Sequence, residues 1–267
     1  MHRVLRSRNS WEHIRSRLSS ASSAGANLPI PLFRVCRYSF AVDIHALALS
    51  LRLALIVSIA LLVVGLPIAY WLTFTRRPWK FLIEALVALP LVLPPTVLGF
   101  YLLVAMGPRS PIGQWWISLT GHTLAFTFEG LVIGSIFYSL PFAVQPFAAS
   151  FASVDRKLLA ASATLGASRL RTFLRVMLPL SLPGIVTGFV LAFAHTLGEF
   201  GVVLMIGGNI PGATKTISIA IYDDVQALNY EAANHAALLL LIISFVTLSL
   251  VYGLNRRSHF SAAGVIR

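Results

Sequence analysis

Charge is what this chain lacks most. Only 11% of its 267 residues are Asp, Glu, Lys or Arg, against about 25% in a soluble domain. So few charges cannot coat a water-facing surface, which excludes an ordinary soluble globule. Cysteine is nearly absent as well: Cys36 stands alone, so no disulfide can form within the chain. Short segments of alternating polarity, the mark of an outer-membrane barrel, are missing. Fixed-period repeats are missing too, and no appended soluble domain is expected.

What is present is apolar. Hydrophobic residues make up 57% of the chain, and the mean hydropathy is +0.81. Five segments approach or exceed the roughly 20 apolar residues that cross a bilayer: Leu47–Phe74, Phe81–Met106, Phe126–Phe151, Leu180–Met205 and Ala236–Leu254. Backbone in lipid must satisfy its own hydrogen bonds, so each is expected to be a helix. The expected class is an all-α integral membrane protein with five transmembrane helices.

A net charge of +12 could suggest nucleic acid, but its distribution points to a membrane. Basic residues cluster at Arg76, Arg77 and Lys80, at Arg156, Lys157, Arg169, Arg171 and Arg175, and at Arg256, Arg257 and Arg267. The opposite side holds Arg52, Arg109 and Lys215. Five alternating crossings put all three clusters on one side, which the positive-inside rule assigns to the cytoplasm. The first helix then starts outside and the C-terminus lies inside.

Residues 1–41 break this pattern. They carry seven arginines and one acid, Glu12, on the side the topology calls external. Their Arg/Ser-rich composition resembles a transit peptide. The reading preferred here is a misassigned start, with translation beginning near Val42. A targeting segment or a genuine, disordered extension is the alternative. The organisation is therefore an extension over 1–41 and a membrane domain over 42–267.

Two features inside the domain stand out. Pro90, Pro94 and Pro95 in "LPLVLPPTVLGF" free backbone carbonyls and kink the second span, so that Pro94, Pro95 and Thr96 are candidates to line a path. Between spans three and four lies a basic amphipathic segment, 153–179. Asp155 or Ser153 can cap a helix through "RKLLAASATL". Gly166 suits the left-handed residue that ends it. Ser168 can cap a second short helix, "RLRTFLRVML", which Pro179 and Pro183 close. Small residues Ala160, Ala161, Ser162 and Ala163 offer a face for close approach, with Leu165, Leu170, Phe173 and Leu174 as apolar anchors. That pattern fits a helix seated in a partner's groove. On composition alone, a basic loop that merely sets topology is the favoured reading.

The order of residues carries more. The segment resembles the cytoplasmic signature of ABC importer permeases, E-A-A-x3-G-x9-I-x-L-P, in Ala160-Ala161-Ser162, Gly166, Val176, Leu178 and Pro179. It departs at Ala160, where the glutamate would stand, and at Ser162 and Val176. With "LPLVLPPTVLGFYLL", "LGASRLRTFLRVMLPLSLPGIVTG" and "LGEFGVVLMIGGNIPGATKTISIAIYDDV", the chain from about Val42 to Arg257 resembles molybdate permease subunits. Sulfate permeases share much of this, and His195 stands where an arginine often precedes "LGEFG". The resemblance implies a type I importer bundle that moves molybdate or a similar tetrahedral oxyanion, tungstate and sulfate being the alternatives. It also implies two copies facing one another, an ABC ATPase subunit docked on Ala160, Ala161, Ser162, Gly166, Ser168, Arg169, Leu170, Leu178 and Pro179, and an extracytoplasmic binding protein. ATP and Mg would be held by the ATPase and no cofactor by this chain.

The remaining motifs carry less chemistry. "GGNIPGATKT" has a phosphate-loop spacing at Gly207 and Gly212, but Lys215 comes two residues late and no strand precedes it. The chain is thus expected not to be an enzyme. His195 and Glu199 are four apart, a metal-ligand spacing, yet no third ligand is evident. Glu199 falls about 28 Å along the fourth span, near the outer surface. It is read as a structural partner beside Gly198 and Gly201, or else as a gate. Thr96, Ser135, Ser139, Thr187 and Thr196 are candidate hydroxyls along a weakly binding path. From another class, an ion-coupled carrier would bury ionisable groups at mid-membrane, whereas Glu84, Glu129 and Glu199 are expected near span ends.

Overall fold

A computed structural model describes residues 42–263, with side chains as far as Gly253. The extension 1–41, Cys36 and Arg267 lie outside the described residues, as do the side chains of Arg256 and Arg257. The described chain is helical throughout, with no strand among its described residues.

Helix α1, Ile44–Phe74, starts where the Asp43 carboxylate accepts the Ala46 N–H at 3.0 Å. Its buried side repeats at three and four residues through Ser50, Leu53, Val57, Leu61, Gly65 and Leu72, the spacing of one helical face. That face meets α5, Phe128–Ser153, and α8, Leu178–Gly198. Phe147 is the wedge among the three. A Cβ on Gly188 of α8 would stand 2.6 Å from its ring, and one on Gly65 of α1 would stand 3.3 Å away. Larger residues there would push the helices apart, and full burial of a phenylalanine is worth about 1.5–3 kcal/mol.

The second expected span is not one rod. It forms α2, Lys80–Val92, and α3, Pro95–Met106, whose axes differ by 115°. A residue before proline is driven to extended backbone, and here two in succession are so placed: ψ is 136° at both Leu93 and Pro94. The described chain thus has four unbroken helices long and apolar enough to cross a membrane, and a fifth crossing if the bent pair counts as one.

The stretch after α3 contains a short helix, α4, Pro111–Thr120. Ser110 caps it through the Gly113 N–H at 2.8 Å. Pro111 occupies its first turn and Gly121, at φ +79°, ends it. Both signals were present in the sequence.

The fourth span also differs from expectation at both ends. Its start is continuous with the basic segment: α7, Arg169–Thr172, passes through a π-helical turn at Phe173–Met177 into α8. Pro179 does not end a helix here. It lacks the N–H that an α-helix would direct at Arg175, and the wider turn accommodates it, with the Leu178 N–H reaching Phe173 O. The span then stops at Gly198. Glu199 is extended, at ψ 137°, and a separate helix α9 runs Gly201–Gly207.

Helix α10 spans Ile217–Gln226. It is tied to α1 by the buried Ser50 hydroxyl, which accepts the Ile217 N–H at 2.8 Å and donates to Ala46 O at 2.9 Å. Helix α11, Tyr230–Ala263, lies at the margin, with Leu238, Leu241, Phe245 and Leu250 exposed. Apolar surface of this extent faces lipid or protein.

Candidate functional site

The basic segment forms a hairpin of two arms. Helix α6, Arg156–Thr164, is capped by Asp155, which accepts the Lys157 N–H at 2.8 Å. Ser153 does not share that role; its hydroxyl donates to Ser150 O. The chain then reverses at Gly166, φ +76°. The Gly166 N–H bonds Ala163 O and the Ala167 N–H bonds Ser162 O, at 3.0 and 3.1 Å. Any L side chain at Gly166 would carry the left-handed penalty of about 1–2 kcal/mol. Ser168 opens the second arm by accepting the Arg171 N–H.

One side-chain bond closes the hairpin. The Ser162 and Thr172 hydroxyls lie 2.8 Å apart. Phe173 turns inward, edge-on to Tyr70 at 5.4 Å between centroids and near Phe151. It is therefore a root of the hairpin rather than one of its outward anchors. Leu159 and Leu178 also pack on the core. The outward surface is unusual in the opposite sense: Leu165 is 87% exposed and Leu170 67%, with Ala160, Ala161, Gly166, Ser168 and Arg169 exposed beside them. No described residue covers these leucines. Because Phe173 touches the last turns of α1, the hairpin lies on the same face as Arg76 and Arg77.

The second candidate group lies at the helix breaks. Sequence places Pro94, Pro95 and Thr96 about a hundred residues from His195 and Glu199, yet the two breaks adjoin. A Cβ on Gly201 would fall 2.6 Å from Pro95 Cβ, and one on Gly99 would fall 2.8 Å from Met205 Cβ. Half-helices α3 and α9 thus pack side by side, and Thr96 stays exposed at the start of α3.

His195 and Glu199 do not share a helical face, because Glu199 has left the helix. The His195 Nδ1 lies 2.9 Å from the Ser139 hydroxyl, which in turn lies 2.8 Å from the Thr196 hydroxyl. The imidazole stacks on Phe142 at 3.9 Å between centroids, with Tyr138 at 4.8 Å. Glu199 sits at the end of α8 and is only 5% exposed. Ser135 is the polar group facing it, and neither carboxylate oxygen meets a donor in good geometry. Ser135 lies seven residues into α5, about 10 Å along it. No cluster of three metal-ligating side chains occurs among the described residues.

The candidate hydroxyls are largely spent inside the bundle. Ser135, Ser139 and Thr196 are buried between α5 and α8, and Thr187 donates to Pro183 O. The network missed by sequence reasoning lies on the far face: Asn209 Nδ2 donates to both Asp223 oxygens at 3.1 Å, and Lys215 pairs with Asp223 at 2.9 Å. Beside it burial raises the Asp224 carboxyl above its usual range, with Lys215 opposing.

The structure is an all-helical bundle with two broken helices and an exposed basic hairpin, the form of a membrane transport component. Residues 47–259 match the model of the family "binding-protein-dependent transport system inner membrane component", and the chain belongs to that family. It is a permease subunit with a type I importer fold. It is 52% identical over 214 residues to a molybdenum transport system permease protein of Azotobacter vinelandii, covering 80% of this chain and 95% of that one. It is 40% identical over 207 residues to the corresponding protein of Escherichia coli K12, covering 78% and 90%. A crystal structure of a bacterial ABC transporter that imports alginate shares the fold, with a TM-score of 0.67 at 16% identity, over 93% of this chain and 96% of that one.

Proposed function

We propose that this chain is the permease subunit of an ATP-driven importer that moves molybdate, or a similar tetrahedral oxyanion, across the cytoplasmic membrane. Two copies face one another with the path between them. The observation that carries the reading is the hairpin at Gly166. Its roots are packed and its tip is stiffened by the Ser162–Thr172 contact, yet its leucines are left open. A surface that is both rigid and uncovered is prepared for a partner. The partner is an ABC ATPase subunit, which holds ATP and Mg; its groove takes the Ala160–Leu170 face. The basic face is cytoplasmic, so α1 starts outside and the C-terminus lies inside. A loaded binding protein docks on the opposite face.

Coupling follows from connectivity. The hairpin's second arm runs unbroken through the π turn into α8, so force on the tip reaches the break at Glu199 along one helix. ATP and the loaded binding protein supply the differential affinity that shifts the bundle between states. Within the path, weak contacts suit release.

The test is radiolabelled molybdate uptake with the cognate ATPase and binding protein, with tungstate and sulfate as competitors. Gly166→Pro cannot adopt the left-handed turn, and Ala161→Glu places a bulky acid on the docking face. Both are expected to lose uptake at least tenfold while inserting normally. Wild-type uptake by both would overturn the docking role. Buried Glu199 is the one observation that favours an ion-coupled carrier. Uptake driven by a proton gradient without ATP would establish that reading instead.

A further inference from the structure

The far face, opposite the hairpin, holds a cavity of about 480 Å³. Its walls include His45, Leu49 and Arg52 of α1, Phe126 and Phe128 at the start of α5, and Gly212. Arg52 is the only Asp, Glu, Lys or Arg in α1. Its guanidinium lies over the Phe128 ring, 4.8 Å from the centroid. The ion pairs among the described residues are Lys80–Glu84 and Lys215–Asp223, so no described carboxylate pairs with it.

The setting of Arg52 on its helix narrows the ligand. His45, Arg52, Ile59 and Val63 follow one another at seven, seven and four residues, which places them on one face of α1. Ile59 is 50% exposed and Val63 66%, so this face is not covered by the bundle. Arg52 lies eight residues from the start of a 31-residue helix, about 12 Å along a length of about 46 Å. A hydrocarbon core of about 30 Å centred on that helix begins about 8 Å in. The Arg52 Cα therefore sits a few ångströms below the headgroup boundary, and its side chain is long enough to reach back up to the phosphate layer.

We propose that this cavity binds the phosphodiester of a glycerophospholipid from the outer leaflet. Arg52 makes charge-assisted hydrogen bonds to the phosphate, His45 lies at the headgroup rim, and an acyl chain runs down Ile59 and Val63. A fixed guanidinium fork matches phosphate oxygens. A cation on an exposed apolar face needs an anion that is apolar below and charged above. A free tetrahedral oxyanion supplies the charge but not the tail. The lipid ties α1 to the start of α5 and to the Gly212 loop. The inference goes beyond transport and holds whichever solute the chain moves.

The experiment uses the full-length protein in mild detergent. Native mass spectrometry counts phospholipid retained through delipidation, and thermal unfolding is followed with short-chain phosphatidylglycerol added back. The wild type should retain one phospholipid per chain and gain thermal stability from the added lipid. Arg52→Gln should lower retention about tenfold, the equivalent of one charge-assisted hydrogen bond, and Arg52→Lys should restore part of it. Should Arg52→Gln fail to fold, the wild type decides alone by comparing the phospholipid with a short-chain diacylglycerol that lacks phosphate. Equal stabilisation by those two, or equal retention by Arg52→Gln, would refute the site. A shift produced by inorganic phosphate or sodium molybdate as large as that from phospholipid would also overturn it, in favour of a small-oxyanion site.

Discussion

The two helix breaks of this bundle look alike and arise differently. At Leu93–Pro94 the backbone is extended because of covalent structure: two prolines in succession remove donors and restrict the residues before them. At Glu199–Phe200 there is no proline, and the helix stops all the same. What differs is the surrounding packing. Gly201 meets the Pro95 ring, and Gly99 on α3 meets Met205 on α9. The first break is local in origin, and the second rests against it. The two breaks thus meet through two glycines that allow close contact.

The comparison can be broken most severely at its point of contact. Gly201→Val would place a side chain against Pro95, whose ring cannot yield. Overpacking of this kind costs about 1–3 kcal/mol, here at the upper end, and should appear as a lowered midpoint of thermal unfolding in detergent. An unchanged midpoint would mean the breaks are independent. The next largest effect sharpens the covalent side. With Pro94 and Pro95 both changed to Ala, α2 and α3 can join. Spin labels at Leu86 and Tyr101, both exposed, should then separate toward the roughly 22 Å of fifteen residues in a continuous helix. A distance equal to that of wild type would assign the bend to packing after all. The smallest effect lies beside the second break. Ser139→Ala removes the hydroxyl between His195 and Thr196 and should cost about 1–2 kcal/mol. A loss of stability below a few tenths would show that the His195 stack on Phe142 suffices to hold α8 there.

How much of this was legible depends on range. The hairpin was readable because its determinants are neighbours in sequence: Asp155 and Ser168 as caps, Gly166 as the left-handed residue between them. Phe173 was misread because its partners, Tyr70 and Phe151, come from two other helices. The bend at Pro94 was legible as a kink, though not its 115°. Glu199 was legible as lying near the end of its span, which stops at Gly198, but its enclosure against α5 had no local signal. The lipid-facing cavity had no sequence signal beyond the presence of Arg52 in an apolar span.

By itself, the sequence determined that this is a helical membrane protein, which of its faces is basic, and where its hairpin turns. Those outcomes follow from hydropathy, from charge and from backbone preferences that act over a few residues. Only the tertiary structure decided that the fourth span stops at Gly198, that its π turn carries the hairpin into the bundle without interruption, and that Glu199 is enclosed. Each of these depends on which distant surface a residue meets, and close packing makes that a property of the whole bundle.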